Sequence, residues 1–164
     1  TINANIASVI SMTTSGSVAL NVTPVSGGSQ TSASDTVSVS TNNAGGYFLT
    51  LANADATTTL VNGANTIAAH AGTQASPTAL ANNTWGYRVD SIGGFSTGGA
   101  VESNVTTSSI TYAGVPATGS PNTIKTTGTT ASNDTTTVWY AVKADTTKPN
   151  GTYTDTVTYT ATTN

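Results

Sequence analysis

The chain has no cysteine and a single histidine, His70, among its 164 residues. Without cysteine there are no disulfides, no thiolate metal ligands and no thiol nucleophile. Charge is almost as scarce: 7% of the residues are charged, against roughly 25% in an ordinary soluble domain. The four basic residues, Arg88, Lys125, Lys143 and Lys148, are widely spaced, and the net charge is −3. With no basic patch to follow a phosphate backbone, nucleic acid is excluded as a partner. No apolar run approaches the roughly 20 residues of a spanning helix, so a membrane-embedded chain of that kind is excluded as well. Helical periodicity with caps is also missing.

Chemistry-bearing constellations are equally sparse. His70, in "TIAAHAGTQ", has no histidine partner for zinc and no paired acid to orient it as a base, and it reads as a loop or surface residue. The acids Asp35, Asp55, Asp90, Glu102, Asp134, Asp145 and Asp155 are scattered, without the paired spacing of a glycosidase. Asn53-x-Asp55-x-Thr57 imitates the start of a calcium loop, but the closing glutamate is replaced by Ala64. The sequence therefore predicts a protein that is not an enzyme and needs neither metal nor cofactor. Five Asn-x-Thr sequons, at Asn21, Asn82, Asn104, Asn133 and Asn150, are expected by chance in so threonine-rich a chain.

What the chain has instead is short β-branched and aromatic runs separated by Gly, Pro, Asn and Ser clusters. Strands are expected over 1–12, 16–24, 35–41, 46–52, 84–90, 108–114, 135–145 and 152–162, with "TTTLV" and "NTI" as short additions. Residues 92–103 read as a glycine-rich loop, and 114–134 as a long polar connection between sheets. This spacing predicts one all-β domain over 1–164, an antiparallel β-sandwich of Ig-like or jelly-roll type. Its core would hold Val18, Leu20, Val22, Val37, Val39, Tyr47, Leu49 and Leu51. Trp85, Tyr87, Val89, Val138, Tyr140, Val142, Tyr153, Val157 and Tyr159 would complete it. "DTTKPNGTY" has the turn chemistry of a hairpin, which predicts that the last two strands are adjacent. Trp139, next to core-facing Val138 and Tyr140, points outward and is a candidate contact surface.

Two terminal segments stand out. In "PNGTYTDTVTYTATTN" (149–164), Tyr153, Asp155, Val157, Tyr159 and Ala161 share one face, and Thr152 to Thr162 occupy the other at every second position. At the other end, Ile2, Ala4, Ile6, Ser8, Ile10 and Met12 share a face. A terminal strand carrying three isoleucines must be covered: it pairs within its own sandwich, or it completes that of a neighbour. The strands also lack the lysines and prolines that usually guard exposed sheet edges.

The stretches "VSVSTNNAGGYFLTLANADATTTLVNG" (37–63), "LANNTWGYRV" (80–89) and "WYAVKADTTKPNGTYTDTVTYTAT" (139–162) resemble secreted Thr/Asn-rich β-sandwich surface proteins of Gram-positive and candidate-phylum bacteria. "GTYTDTVTYTAT" (151–162) is similar to the closing strand of spore coat protein U-like domains and of the archaic chaperone–usher pilins. That second resemblance implies a subunit that polymerises.

The expectation is thus a secreted, cell-surface protein, a reading that Thr1 in place of methionine also fits if a signal has been removed. It would be the structural subunit of an extracellular filament or pilus, a homopolymer linked by donation of residues 1–12. Ile2, Ala4, Ile6, Ile10 and Met12 would form the subunit interface. The runner-up is a monomeric adhesin or carbohydrate-binding module of a larger surface protein, with a glycan or host ligand unspecified. A third reading, ice binding by the threonine face, needs several parallel ranks of threonine.

Overall fold

Apolar and hydroxyl residues that alternate over a few positions suit a pleated surface with one dry face and one wet face. The computed structural model, which describes all 164 residues, contains strands and no helix. In chain order these are β1 (Ile10–Thr13), β2 (Ser29–Thr41), β3 (Tyr47–Asn53), β4 (Leu60–Asn62), β5 (Asn65–Ala69) and β6 (Thr78–Ala79). They are followed by β7 (Thr84–Arg88), β8 (Glu102–Val105), β9 (Thr111–Tyr112), β10 (Asn122–Thr126), β11 (Ala131–Ala144) and β12 (Val157–Thr163).

The larger sheet has the order β1-β2-β11-β7-β5-β4, and β8 shares the outer edge of β2 with β1. The smaller sheet is β10-β3-β12, and β6 and β9 form a separate ribbon. Every strand pairing is antiparallel except β5 with β7, which is parallel. The two sheets bury Val37, Val39, Tyr47, Leu49, Leu51, Trp85, Tyr87, Ile124, Val138, Tyr140 and Val142 between them. Each such side chain contributes about 1.5–3 kcal/mol relative to an exposed position. On the outer face of the larger sheet, Leu80 and Tyr112 pack over Ala141 in a small second cluster.

Several expectations are corrected. The last two strands are not a hairpin: β11 lies in the larger sheet, while β12 pairs with β3 in the smaller one. The turn residues Pro149, Asn150 and Gly151 sit instead in a crossover. The Asp145 carboxylate accepts the Thr147 N–H there (2.9 Å), Lys148 Nζ donates to Thr66 O (2.7 Å), and Thr154 bridges to Val61. β2 begins at Ser29 rather than 35, because hydroxyls that read as loop are buried and bonded. Ser32 Oγ donates to Ala100 O (2.7 Å) and accepts from Glu102 N (2.8 Å). The polar connection 114–134 contains β10, anchored by the buried Ile124. Residues 16–24 form no strand, and of the N-terminal stretch only Ile10–Thr13 is paired.

Candidate functional site

The two sheets do not cover each other along one side. Beside β12, the cleft between them stays open as a groove of about 880 Å³. Trp85, Ile67, Val142 and Tyr140 of the larger sheet line it, residues 148–157 with Tyr159 form one bank, and Gly16–Pro24 forms the other. Six residues expected in the core are only half-buried: Val18, Leu20, Val22, Tyr153, Val157 and Tyr159. All six line this groove. Their alternation is that of core strands, but the chain itself completes only part of the core they belong to.

The bank formed by β12 has an unpaired edge, which follows from its register. Ala54 N–H donates to Thr156 O (2.9 Å) and Asn164 N–H to Gly46 O (3.1 Å), so the even-numbered residues of β12 exchange their backbone bonds with β3. In an antiparallel pair the intervening residues turn N–H and C=O the other way. Val157 and Tyr159 therefore aim both backbone groups at the groove, where the chain supplies no partner. An unpaired edge beside an apolar floor is the arrangement that takes up an added strand.

The opposite bank is held by side chains alone. Ser15 N–H donates to Asp35 Oδ1 (2.8 Å), Thr31 Oγ1 to Asn21 O (3.0 Å) and Thr23 N–H to Asn104 Oδ1 (2.6 Å), while Ser29 Oγ bonds Thr23 O. No ladder of backbone bonds joins Gly16–Pro24 to either sheet. This is why its alternation gives half-burial without a strand.

One end of the groove is polar. The hydroxyls of Tyr140 and Tyr159 share a hydrogen bond (2.7 Å). Asp35, 3% exposed, sits beside them with no basic side chain in salt-bridge range. Burial, reinforced by the neighbouring phenol and the Asp35 charge, pushes the Tyr140 hydroxyl well above the usual phenol range. Burial and Asp35 also raise Tyr159.

The N-terminal residues lie outside this groove. Ile2 is 97% exposed and Ile6 83%, and Ala4 is exposed too. The segment is tethered near its end, where Val9 N–H donates to Asn42 Oδ1 (2.8 Å) and Thr41 Oγ1 donates to Val9 O (2.7 Å). Ile10 and Met12 pair with Thr41 and Val39 of their own chain, and Met12 packs on the core. Asn42 Nδ2 also donates to Ala7 O (2.9 Å), so side chains hold residues 7–9 and the segment without a backbone ladder ends at Val9, a boundary that periodicity alone does not mark.

The other candidate residues have local roles. His70 is buried rather than at the surface: Nε2 lies 2.8 Å from Thr78 Oγ1, and burial lowers its pKa. Asn53 and Asp55 use their side-chain oxygens on the backbone N–H of Asp55 (3.2 Å) and Thr57 (2.6 Å), and Asn53 Nδ2 binds Asp155 (2.6 Å). Trp139 is half-buried beneath the glycine-rich loop, whose Gly99 leaves no room for a side chain over the indole. Asp90 fastens that loop by accepting from Gly98 N (2.9 Å) and Gly99 N (3.0 Å) and pairing with the buried Arg88 (2.6 Å). Burial opposes ionisation of Asp90, but these donors outweigh it and hold its pKa low.

Comparison with protein-family models, with curated proteins and with solved structures finds no match for this chain.

Proposed function

We propose that the protein is the structural subunit of an extracellular polymer, in which residues 1–9 of one copy fill the groove of the next. One observation carries this reading. A single chain holds both a groove bordered by the unpaired edge of β12 and an unpaired apolar strand that stays out of it. The two surfaces are different patches of one molecule, so their union is heterologous and propagates as an open chain of copies.

The magnitudes favour a stable contact. Burying Ile2 and Ile6 contributes about 1.5–3 kcal/mol each. Backbone bonds to Val157 and Tyr159 add roughly 0.5–1.5 kcal/mol apiece. Half-buried groove residues gain further cover, and against these stand several kcal/mol of association cost.

Deletion of residues 1–9 leaves β1 in place and tests the proposal. The deleted chain should stay monomeric in sedimentation while keeping a β-rich circular dichroism spectrum, and the full chain should form fibres. A synthetic peptide of residues 1–9 should raise the melting temperature of the deleted chain by filling the groove. Fibres from the deleted chain would remove donation as the linkage.

A further inference from the structure

The groove is not uniform along its length, and neither is the strand proposed to fill it. At one end stand Asp35, Tyr140 and Tyr159. Toward the other, Tyr153 and Val157 border a floor of Ile67 and Trp85. Along the inward face of the N-terminal strand the order is Ile2, Ala4, Ile6, Ser8, apolar except for its last position. Along β12 and the residues before it, the groove-facing order is Tyr153, Asp155, Val157, Tyr159. Each series covers four alternating positions, so one can lie beside the other over its whole length.

We infer that the donated strand runs parallel to β12, with Ser8 opposite Tyr159 of the accepting copy and Ile2 opposite Tyr153. The inference rests on the strand-donation reading and adds direction and register to it. In this alignment Ser8 brings a hydroxyl to the polar end of the groove, where Asp35 Oδ1 accepts from Ser15 N–H (2.8 Å) and the Tyr159 and Tyr140 hydroxyls stand beside the carboxylate. Ile6 falls beside Val157, and the small Ala4 falls beside Asp155, whose carboxylate is engaged by Asn53 Nδ2 (2.6 Å). The reversed strand would press Ile2 against Asp35 and the two phenols, and Ile6 against Asp155. A buried carboxylate covered by an aliphatic group loses hydration and gains no hydrogen bond, a costly exchange. A one-residue slip would turn Asn3 and Asn5 inward. The polar end of the groove therefore sets register, as a single buried polar residue does in other repeating interfaces.

Because the chain has no cysteine, paired substitutions report the alignment directly. Residues 3 and 7 of the donated strand share the exposed face of the sheet with Thr154 and Thr158. Oxidation should join neighbouring copies of the full chain into covalent ladders when Ala7→Cys is combined with Thr158→Cys, or Asn3→Cys with Thr154→Cys. Ladders from Ala7→Cys with Thr154→Cys, or Asn3→Cys with Thr158→Cys, would overturn the direction while leaving donation standing. A ladder from Ala7→Cys with Thr156→Cys or Thr160→Cys in place of Thr158→Cys would overturn the register. Polymers that give no ladder with any pair would overturn donation itself. As an independent measure, Ser8→Val should raise the concentration needed for assembly roughly tenfold, the scale of a lost hydrogen bond to a charged group. Asp35→Leu in the same chain should recover most of that loss. An equal effect of Ser8→Val in both backgrounds would refute the role of Asp35.

Discussion

β3 and β12 are neighbours in the smaller sheet and carry the same kind of alternation, yet they end in different surroundings. The inward residues of β3, Tyr47, Leu49 and Leu51, are completely buried. Those of β12, Val157, Tyr159 and Ala161, are half-buried. β3 has a strand on each side, whereas β12 has one. A side chain facing a core is shielded both by the sheet opposite and by the strands flanking its own, so the loss of one flank opens every inward residue along that edge. Alternation states which face of a strand is meant to be dry. It does not state whether the covering atoms belong to the same chain.

The strongest way to break this comparison is to truncate one inward side chain on each side of it. Leu49→Ala leaves a cavity in a closed core and should cost about 2–5 kcal/mol in denaturant unfolding of the unassembled subunit. Leu20→Ala removes a side chain that is half in water already, and should cost about 1 kcal/mol. Equal losses would mean that the groove is closed by its own chain. If a donated strand covers that position, as proposed, Leu20→Ala should weaken assembly as well.

The same contrast explains what could be read from the sequence. The buried residues of β2, β3, β7 and β11 were legible because valine, leucine and aromatic residues alternate there with polar ones. The groove was half legible: its lining residues carried the core pattern, but nothing in "GSVALNVTP" says that its backbone is held by the side chains of Asp35, Thr31 and Asn104 instead of by a ladder. The start of β2 and the whole of β10 were hidden by hydroxyl-rich composition, whose bonding depends on residues far along the chain. The supposed final hairpin failed for a related reason. Asn150-Gly151 permits a tight turn, but the partner of a strand is chosen by tertiary packing, and β12 is paired with β3.

A smaller effect comes from the glycine-rich loop, which closes over Trp139 on the outside of the larger sheet much as a donated strand would close the groove. A Cβ at Gly99 would stand 2.2 Å from the indole Nε1. Gly99→Ala should therefore lift the loop, cost about 1–3 kcal/mol by overpacking, and shift the fluorescence of Trp139 to the red. Trp85→Phe would remove the second tryptophan from that signal. An unchanged spectrum would mean that the loop already lies away from the ring.

Acid should loosen the packing of β6 against the end of β5 through the buried His70. Burial depresses its folded-state pKa below the unfolded value of 6.5. The unfolded chain then binds the extra proton first, so this contribution to stability is complete above pH 6.5 and declines as pH falls toward and through the folded pKa. His70→Gln should flatten the dependence of melting temperature on pH just below 6.5. The fall at more acidic pH should remain, because Asp90 and Asp134 are held ionised by their donors and lose that stabilisation only on protonation. An unchanged slope below pH 6.5 would show that His70 is solvated in the folded protein.

The smallest effect is expected on the threonine face. Thr158, Thr160 and Thr162 of β12 are exposed, and register places Thr50 beside Thr160 and Thr123 beside Thr50, so one rung of threonines crosses all three strands. The next positions of β3 break the array, with Ala52 beside Thr158 and Phe48 beside Thr162. Holding water against an ice lattice requires a two-dimensional repeat, and this face offers one full file and one rung. Replacing Thr154, Thr156 and Thr158 by valine exchanges hydroxyls for methyls on residues that suit a pleated surface equally well. Each change should alter stability by no more than about 0.5 kcal/mol, as for other surface positions. Neither parent nor variant should show thermal hysteresis. Hysteresis in the parent that vanished in the valine variant would make this face an ice-binding surface, and polymer formation unaffected by the same substitutions would separate it from the groove side of β12.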